Sequence, residues 1–136
     1  MDQIRRAQAM TPENLMKLKN WAVVGVKQEE NQYAYMIYRI LKEKGYNVFA
    51  VNPKASEIDG DKCYPLVEDI EKPIDVVDMV ISPAKGIQLL EGIADKGIKY
   101  LWLQPGSYDD EFLKEAKRRG LVYVKDCILA RLKLKG

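Results

Sequence analysis

Three times in this chain a stretch of helix-favouring residues ends at a glycine next to a cation and passes at once into a short β-branched or aromatic run. Lys42-Glu43-Lys44-Gly45 precedes Tyr46 to Asn52, Asp95-Lys96-Gly97 precedes Ile98 to Gln104, and Lys117-Arg118-Arg119-Gly120 precedes Leu121 to Asp126. A helix ends most easily on a residue that accepts the left-handed conformation, and cations there meet the negative end of the helix dipole. The repeat therefore reads as successive βαβ units, which build a parallel sheet.

Five apolar runs are the expected strands: Trp21 to Val26, Val48 to Val51, Val76 to Ile81, Tyr100 to Leu103 and Leu121 to Val124. They are apolar on both faces, as strands covered by helices on either side must be. Thr11-Pro12-Glu13 opens a leading helix over about 11–19, with an N-cap and a proline at the first helical position. Asn31 to Lys44 forms a helix with Tyr33, Ile37, Ile40 and Leu41 inward, and Ser82-Pro83 opens another with Ile87, Leu90, Ile93 and Ala94 on one face. Ser107 stands before Asp109, Asp110 and Glu111 as the cap of an acidic first turn. The segment from Asn52 to Pro73 is rich in turn formers, with a brief helical stretch at Leu66 to Ile70, and is expected to replace a crossover helix. The 136 residues have room for one domain over 1–136, with a basic tail over about 128–136 that is either a short helix or frayed.

Several function classes are disfavoured. The 22 Lys and Arg and 20 Asp and Glu alternate in sign, which argues against nucleic acid or a membrane surface as a partner. Apolar runs are too short to span a bilayer and two cysteines make no secreted disulfide framework, so the expected location is cytoplasmic. With no histidine, neither a Ser-His-Asp or Cys-His nucleophile nor a His-containing zinc site can be assembled from this chain. No catalytic constellation and no metal site emerges, and the chain is expected not to be an enzyme by itself.

In an open parallel sheet, ligands bind beyond the carboxyl ends of the strands where the winding reverses. That rule selects the loops Gly25 to Gln32, Asn52 to Lys54, Ser82-Pro83 and Gln104 to Ser107. The first, with Gly25, Val26 and Lys27, leads into a helix whose amides suit a diphosphate, although the dinucleotide glycine fingerprint is absent. Where a NAD enzyme places an acidic residue at the end of its second strand, this chain has Asn52, Pro53 and Lys54. An amide and an ammonium suit a ribose carrying a phosphate, as in coenzyme A. Tyr33 and Tyr35 are the tyrosines best placed to meet an adenine, and Cys63 reads as a structural thiol.

Trp21-Ala22-Val23-Val24-Gly25, Gly45-Tyr46-Asn47-Val48, Val51-Asn52-Pro53, Gly60, Cys63-Tyr64-Pro65, Asp75-Val76-Val77-Asp78 and Leu101-Trp102-Leu103-Gln104 together resemble the CoA-binding domain family. Its members include small free-standing proteins similar to the nucleotide-binding domain of the succinyl-CoA synthetase alpha subunit. The resemblance runs from Trp21 to Cys127. It implies a Rossmann-like three-layer α/β fold with a five-stranded parallel sheet of order 3-2-1-4-5. It also implies a site for coenzyme A or acyl-CoA at Gly25, Val26, Lys27, Tyr33, Asn52, Pro53, Lys54, Tyr64, Ser82, Pro83, Gln104 and Gly106. The function expected is non-catalytic binding of this nucleotide ligand, as carrier or regulator, with a homodimer or an unknown protein as partner. Two alternatives stay open: an NAD(P)-binding oxidoreductase, and a protein-interaction domain whose ligand site has decayed, the latter kept by Glu29-Glu30 in the first loop.

Overall fold

A computed structural model describes residues 10–135. Seven strands form one sheet: β1 (Asn20–Val24), β2 (Asn47–Val51), β3 (Glu57–Ile58), β4 (Asp61–Tyr64), β5 (Val76–Met79), β6 (Tyr100–Leu103) and β7 (Val122–Lys125). Their order is β3-β4-β2-β1-β5-β6-β7. Every neighbouring pair is parallel except β3 with β4.

The expected five strands are therefore two short, and their order is corrected. The strand at Val76 lies against β1, through Val23 beside Asp78, and not against β2. The place beside β2 is taken by β4, where Cys63 and Tyr64 pair with Ala50 and Val51. β3 and β4 form a hairpin closed by Asp59-Gly60, with φ of 53° and 83°. Two successive positive φ values are what a two-residue hairpin turn of the I′ kind requires, and Asp-Gly supplies them at low cost. The irregular segment is thus largely a hairpin, followed by a 3₁₀ turn at Val67–Asp69 where the brief helix was expected.

Alternate strand residues feed two apolar layers, as the pleat demands. Trp21, Val23, Ala50 and Trp102 face a layer with α1 (Pro12–Leu15), α2 (Tyr33–Glu43) and the closing helix. Ala22, Val24, Val77 and Leu101 face the other layer, which holds α3 (Pro83–Gly86), a 3₁₀ turn (Ile87–Leu89), α4 (Leu90–Asp95) and α5 (Asp110–Arg118). The closing helix, α6 (Ile128–Lys135), settles the expected tail as helical and buries Ile128.

Three local expectations are corrected. The leading helix stops at Leu15, after which the Lys17 and Leu18 amides turn to the carbonyls three residues back, Asn14 at 3.2 Å and Leu15 at 3.0 Å, and the Met16 and Leu18 carbonyls accept from the Tyr46 hydroxyl and the Trp21 indole. Tyr33 is not inward but 36% exposed at the start of α2, with its hydroxyl beside Gln104 and Cys127. The cap of α5 is Asp109, whose carboxylate accepts from the Phe112 amide at 2.8 Å. Ser107 is instead buried and donates its hydroxyl to the Gln104 carbonyl at 2.7 Å. Among the described residues no helix is long and apolar enough to cross a membrane.

Candidate functional site

The winding of the sheet reverses at β1, which has β2 on one side and β5 on the other, so the loops after β1 and β5 must diverge and leave a crevice. A cleft of about 400 Å³ lies there. Its walls are Gln32, Tyr33 and Ala34 at the start of α2, Val80, Ile81 and Ser82 after β5, and Pro105, Gly106 and Ser107 after β6. Three of the four loops selected from the sequence thus converge on one space.

Gly25 makes this convergence possible. Its φ is +106°, and a Cβ there would stand 2.7 Å from both the Val80 carbonyl oxygen and Ile81 Cγ2. A side chain would therefore meet the backbone of the opposite wall, and only glycine lets the two loops close to this distance.

Gln32 then binds the first loop to α2. Its side-chain oxygen accepts from the Lys27 amide at 3.0 Å and the Tyr35 amide at 2.9 Å, while its nitrogen donates to the Gly25 carbonyl at 2.7 Å. Glutamine is an uncommon N-cap, so helix-start rules built on Ser, Thr, Asp and Asn pass over it. The two amides it satisfies are withdrawn from any phosphate, which leaves the amides at the very start of α2, together with the dipole, as the anion-attracting part of the loop. Gln28 and Asp59 add a second tie by exchanging hydrogen bonds of 2.9 and 2.6 Å, so the hairpin turn holds the far side of the same loop.

The remaining expected site residues divide by position. Asn52 is 8% exposed and bonded throughout: its side chain donates to the Val26 carbonyl at 2.8 Å and accepts from the Lys54 amide at 2.9 Å. It joins the loops after β1 and β2, and Val26 is buried with it. Pro53, Lys54 and Lys27 are exposed at the rim on the β2 side, outside the cleft wall. Tyr64 is half-buried at the end of β4, edge-on to Phe49 with ring centres 6.2 Å apart. Pro83 follows Ser82 as the first residue of α3. Cys63 is buried, which pushes its thiol up, and it donates to the Asn52 carbonyl at 3.7 Å.

Gln104 lies buried under the cleft and donates to the Tyr33 hydroxyl oxygen at 3.0 Å. Tyr33 is in turn 2.8 Å from Cys127 Sγ. Burial, and then the contact with Cys127, raise the Tyr33 phenol to about 12. On the same face Asp78 is wholly buried, and neither of its carboxylate oxygens has a hydrogen-bond partner. Burial pushes its carboxyl well above the usual range, because an apolar interior disfavours the charged form. Neither Asp78 nor Cys127 was among the expected site residues. A lone acid inside the apolar run Val76 to Ile81 is the signal that marks the first, whereas the thiol's surroundings come from elements distant in sequence.

Residues 19–133 match the CoA binding domain family. The Bacillus subtilis protein YneT is 27% identical over 127 residues, covering 90% of this chain and 91% of its own length. A hypothetical protein from Pyrococcus horikoshii superposes with a TM-score of 0.80 at 34% identity, covering 95% of this chain and 91% of that one. An ADP-forming acetate–CoA ligase from Methanocaldococcus jannaschii is 35% identical over 81 residues, but these are 60% of this chain and only 12% of the ligase. The fold with its cleft at the winding reversal, and the match along nearly the whole sequence, lead to one assignment: the chain belongs to the CoA binding domain family.

Proposed function

We propose that the chain binds coenzyme A or an acyl-CoA across the carboxyl edge of the sheet, and that it carries the ligand without turning it over. The observation that carries this reading is the convergence of the loops after β1, β5 and β6 on one cleft, beside the start of α2, in a chain of the CoA binding domain family. The adenosine end lies toward β2, with Lys54 reading the ribose phosphate, and the pantetheine arm runs into the cleft past Tyr33. The cleft wall offers hydroxyls, a carboxamide and apolar groups, which can hold such a ligand by hydrogen bonding and apolar contact.

Calorimetric titration tests the reading and the role of Lys54 together. Coenzyme A is expected to bind with saturation and more tightly than NAD. Lys54→Ala is expected to weaken coenzyme A by roughly ten- to a hundredfold, the worth of a charge-assisted contact of about 1.5 to 3 kcal/mol. It should leave dephospho-coenzyme A nearly unaffected, and added salt should shrink the difference because Lys54 is exposed. Equal affinity of the parent chain for the two ligands would remove Lys54 from the site, and tighter binding of NAD than of coenzyme A would overturn the reading.

A further inference from the structure

The hairpin of β3 and β4 takes the place of a crossover helix, and its turn reaches the loop after β1 from outside the cleft. Ile58, wholly buried in the same apolar layer as α2, anchors it. Two carboxylates at the turn then fasten it to that helix. Asp59 Oδ1 accepts from the Tyr35 hydroxyl at 2.7 Å, and Asp61 accepts from the Tyr38 hydroxyl at 3.1 Å and from Lys42. Arg39 completes the row by donating to the Tyr35 hydroxyl oxygen at 3.1 Å. Positions 35, 38, 39 and 42 are three and four apart, so these side chains rise from one face of α2.

The loop after β1 is held unevenly. Gln32 and Asn52 secure its near end through Gly25, Val26 and Lys27. Residues 28–31 are exposed, and among the described residues their only side-chain bonds to another element are those of Gln28. The Gln28 carboxamide meets Asp59 at two points, donating to Oδ1 at 2.9 Å and accepting from the Asp59 amide at 2.6 Å. Gln28, then Tyr35 and Arg39, hold the Asp59 carboxyl below the usual carboxylate range against the opposing effect of burial, so the acceptor is charged and the bonds to it are strengthened.

We propose that Asp59 is a positioning residue for the ligand: through Gln28 it orders the loop after β1 in advance, and so raises the affinity of the adjoining cleft for coenzyme A without touching it. This rests on the coenzyme A reading of the cleft. A loop that is already ordered need not be ordered at the moment of binding, so the contact removes part of the entropic cost of association. Asp59 is not part of the cleft wall, and its carboxylate is engaged by Gln28, Tyr35 and Arg39, so it acts on the loop and not on the ligand.

The test compares the full parent chain with Gln28→Ala, Asp59→Gly, their double variant and Asp59→Asn, by calorimetric titration with coenzyme A and with dephospho-coenzyme A. Glycine accepts the φ of 53° at this turn, and asparagine accepts it while keeping an acceptor oxygen, so the hairpin survives in both. Gln28→Ala and Asp59→Gly are each expected to weaken both ligands by roughly three- to tenfold, the worth of the lost bonds and of a loop that must be ordered on binding. The double variant should lose no more than the larger single loss, because the two residues act as one contact. Asp59→Asn should stay within about twofold of the parent, since only an exposed ion pair is given up. Without ligand, amide exchange should speed up at residues 27–32 in the two single variants and stay unchanged in β1 and β5, where a general loss of stability would show. Undiminished affinity in either single variant, additive losses in the double variant, a loss in Asp59→Asn equal to that in Asp59→Gly, or unaltered exchange at 27–32 would overturn the inference and leave coenzyme A binding intact. No binding by the parent chain sinks the reading of the cleft, and the inference falls with it.

Discussion

Asp78→Asn is expected to make the protein more stable than the parent chain at neutral pH, by a margin that widens as pH rises. Asp78 sits in the middle of β5 between β1 and β6, wholly buried, with no partner for either oxygen. Burial, with a smaller contribution from Cys127, raises its carboxyl well above the ordinary 3.8. In the unfolded chain the group loses its proton near the ordinary value, while the folded chain keeps it. From there upward the native state binds more protons than the unfolded state, and stability falls with rising pH until the buried carboxyl itself ionises. The slope is about 1.4 kcal/mol per pH unit for one such group. Below the ordinary value both states are protonated and the group adds no pH dependence. Asparagine keeps the shape and cannot ionise, so between about pH 4.5 and about pH 7 the advantage of the variant should grow by up to about 3 kcal/mol. Urea unfolding at the two pH values measures it. A margin that stays constant would mean that Asp78 is ionised in the folded chain and finds a partner there.

Gly25→Val is expected to cost about 2 to 6 kcal/mol and to abolish ligand binding at accessible concentrations. Two costs add at this position. A β-branched residue at a φ of +106° is strained by roughly 1 to 3 kcal/mol whatever surrounds it. The added Cβ, at 2.7 Å from the Val80 carbonyl oxygen, must also push apart the loops after β1 and β5, an overpacking cost of about 1 to 3 kcal/mol. Gly45→Val separates the two. Its φ of +91° brings the same strain, but no atom lies within 4 Å of the new Cβ. The Gly45 variant should lose only the strain and keep its ligand affinity, since it lies at the opposite end of the strands from the cleft. Equal losses in urea unfolding, or retained affinity in Gly25→Val, would show that the close approach at Gly25 does not shape the site.

Much of this architecture is written locally in the chain, and the parts that are not share a cause. Glycines 45, 97 and 120, each at a positive φ, stand where helices end, and the strands they precede are where the apolar runs place them. The loops were readable for the same reason, because each strand end in a parallel sheet points to the same edge. Sheet order was not readable, since no local pattern states which strand lies beside β2. That place went to Asp61–Tyr64, a short strand half made of polar residues whose outer neighbour is the two-residue β3, so no long apolar run marks it. Asp59-Gly60 carried the hairpin signal, but the surrounding turn-forming residues masked it. At the site, residues chosen for their chemistry proved partly structural. Asn52 gives its side chain one bond each to Val26 and Lys54 and so joins two loops, while Gln32, passed over as a cap, organises the first loop. The cluster of Tyr33, Gln104, Cys127 and Asp78 draws on residues separated by up to 94 positions, a proximity that only the closed sheet creates.

If coenzyme A occupies the cleft at the winding reversal, titrating the isotope-labelled full chain with coenzyme A and following the backbone amide shifts will report it residue by residue. The predicted result is a saturable set of changes confined to residues 25–34, 52–54, 80–83 and 104–107, with the groove lined by Met36, Arg39 and Lys133 between α2 and α6 unaffected. Changes centred on that groove, or no saturable change at any of the four loops, would contradict it.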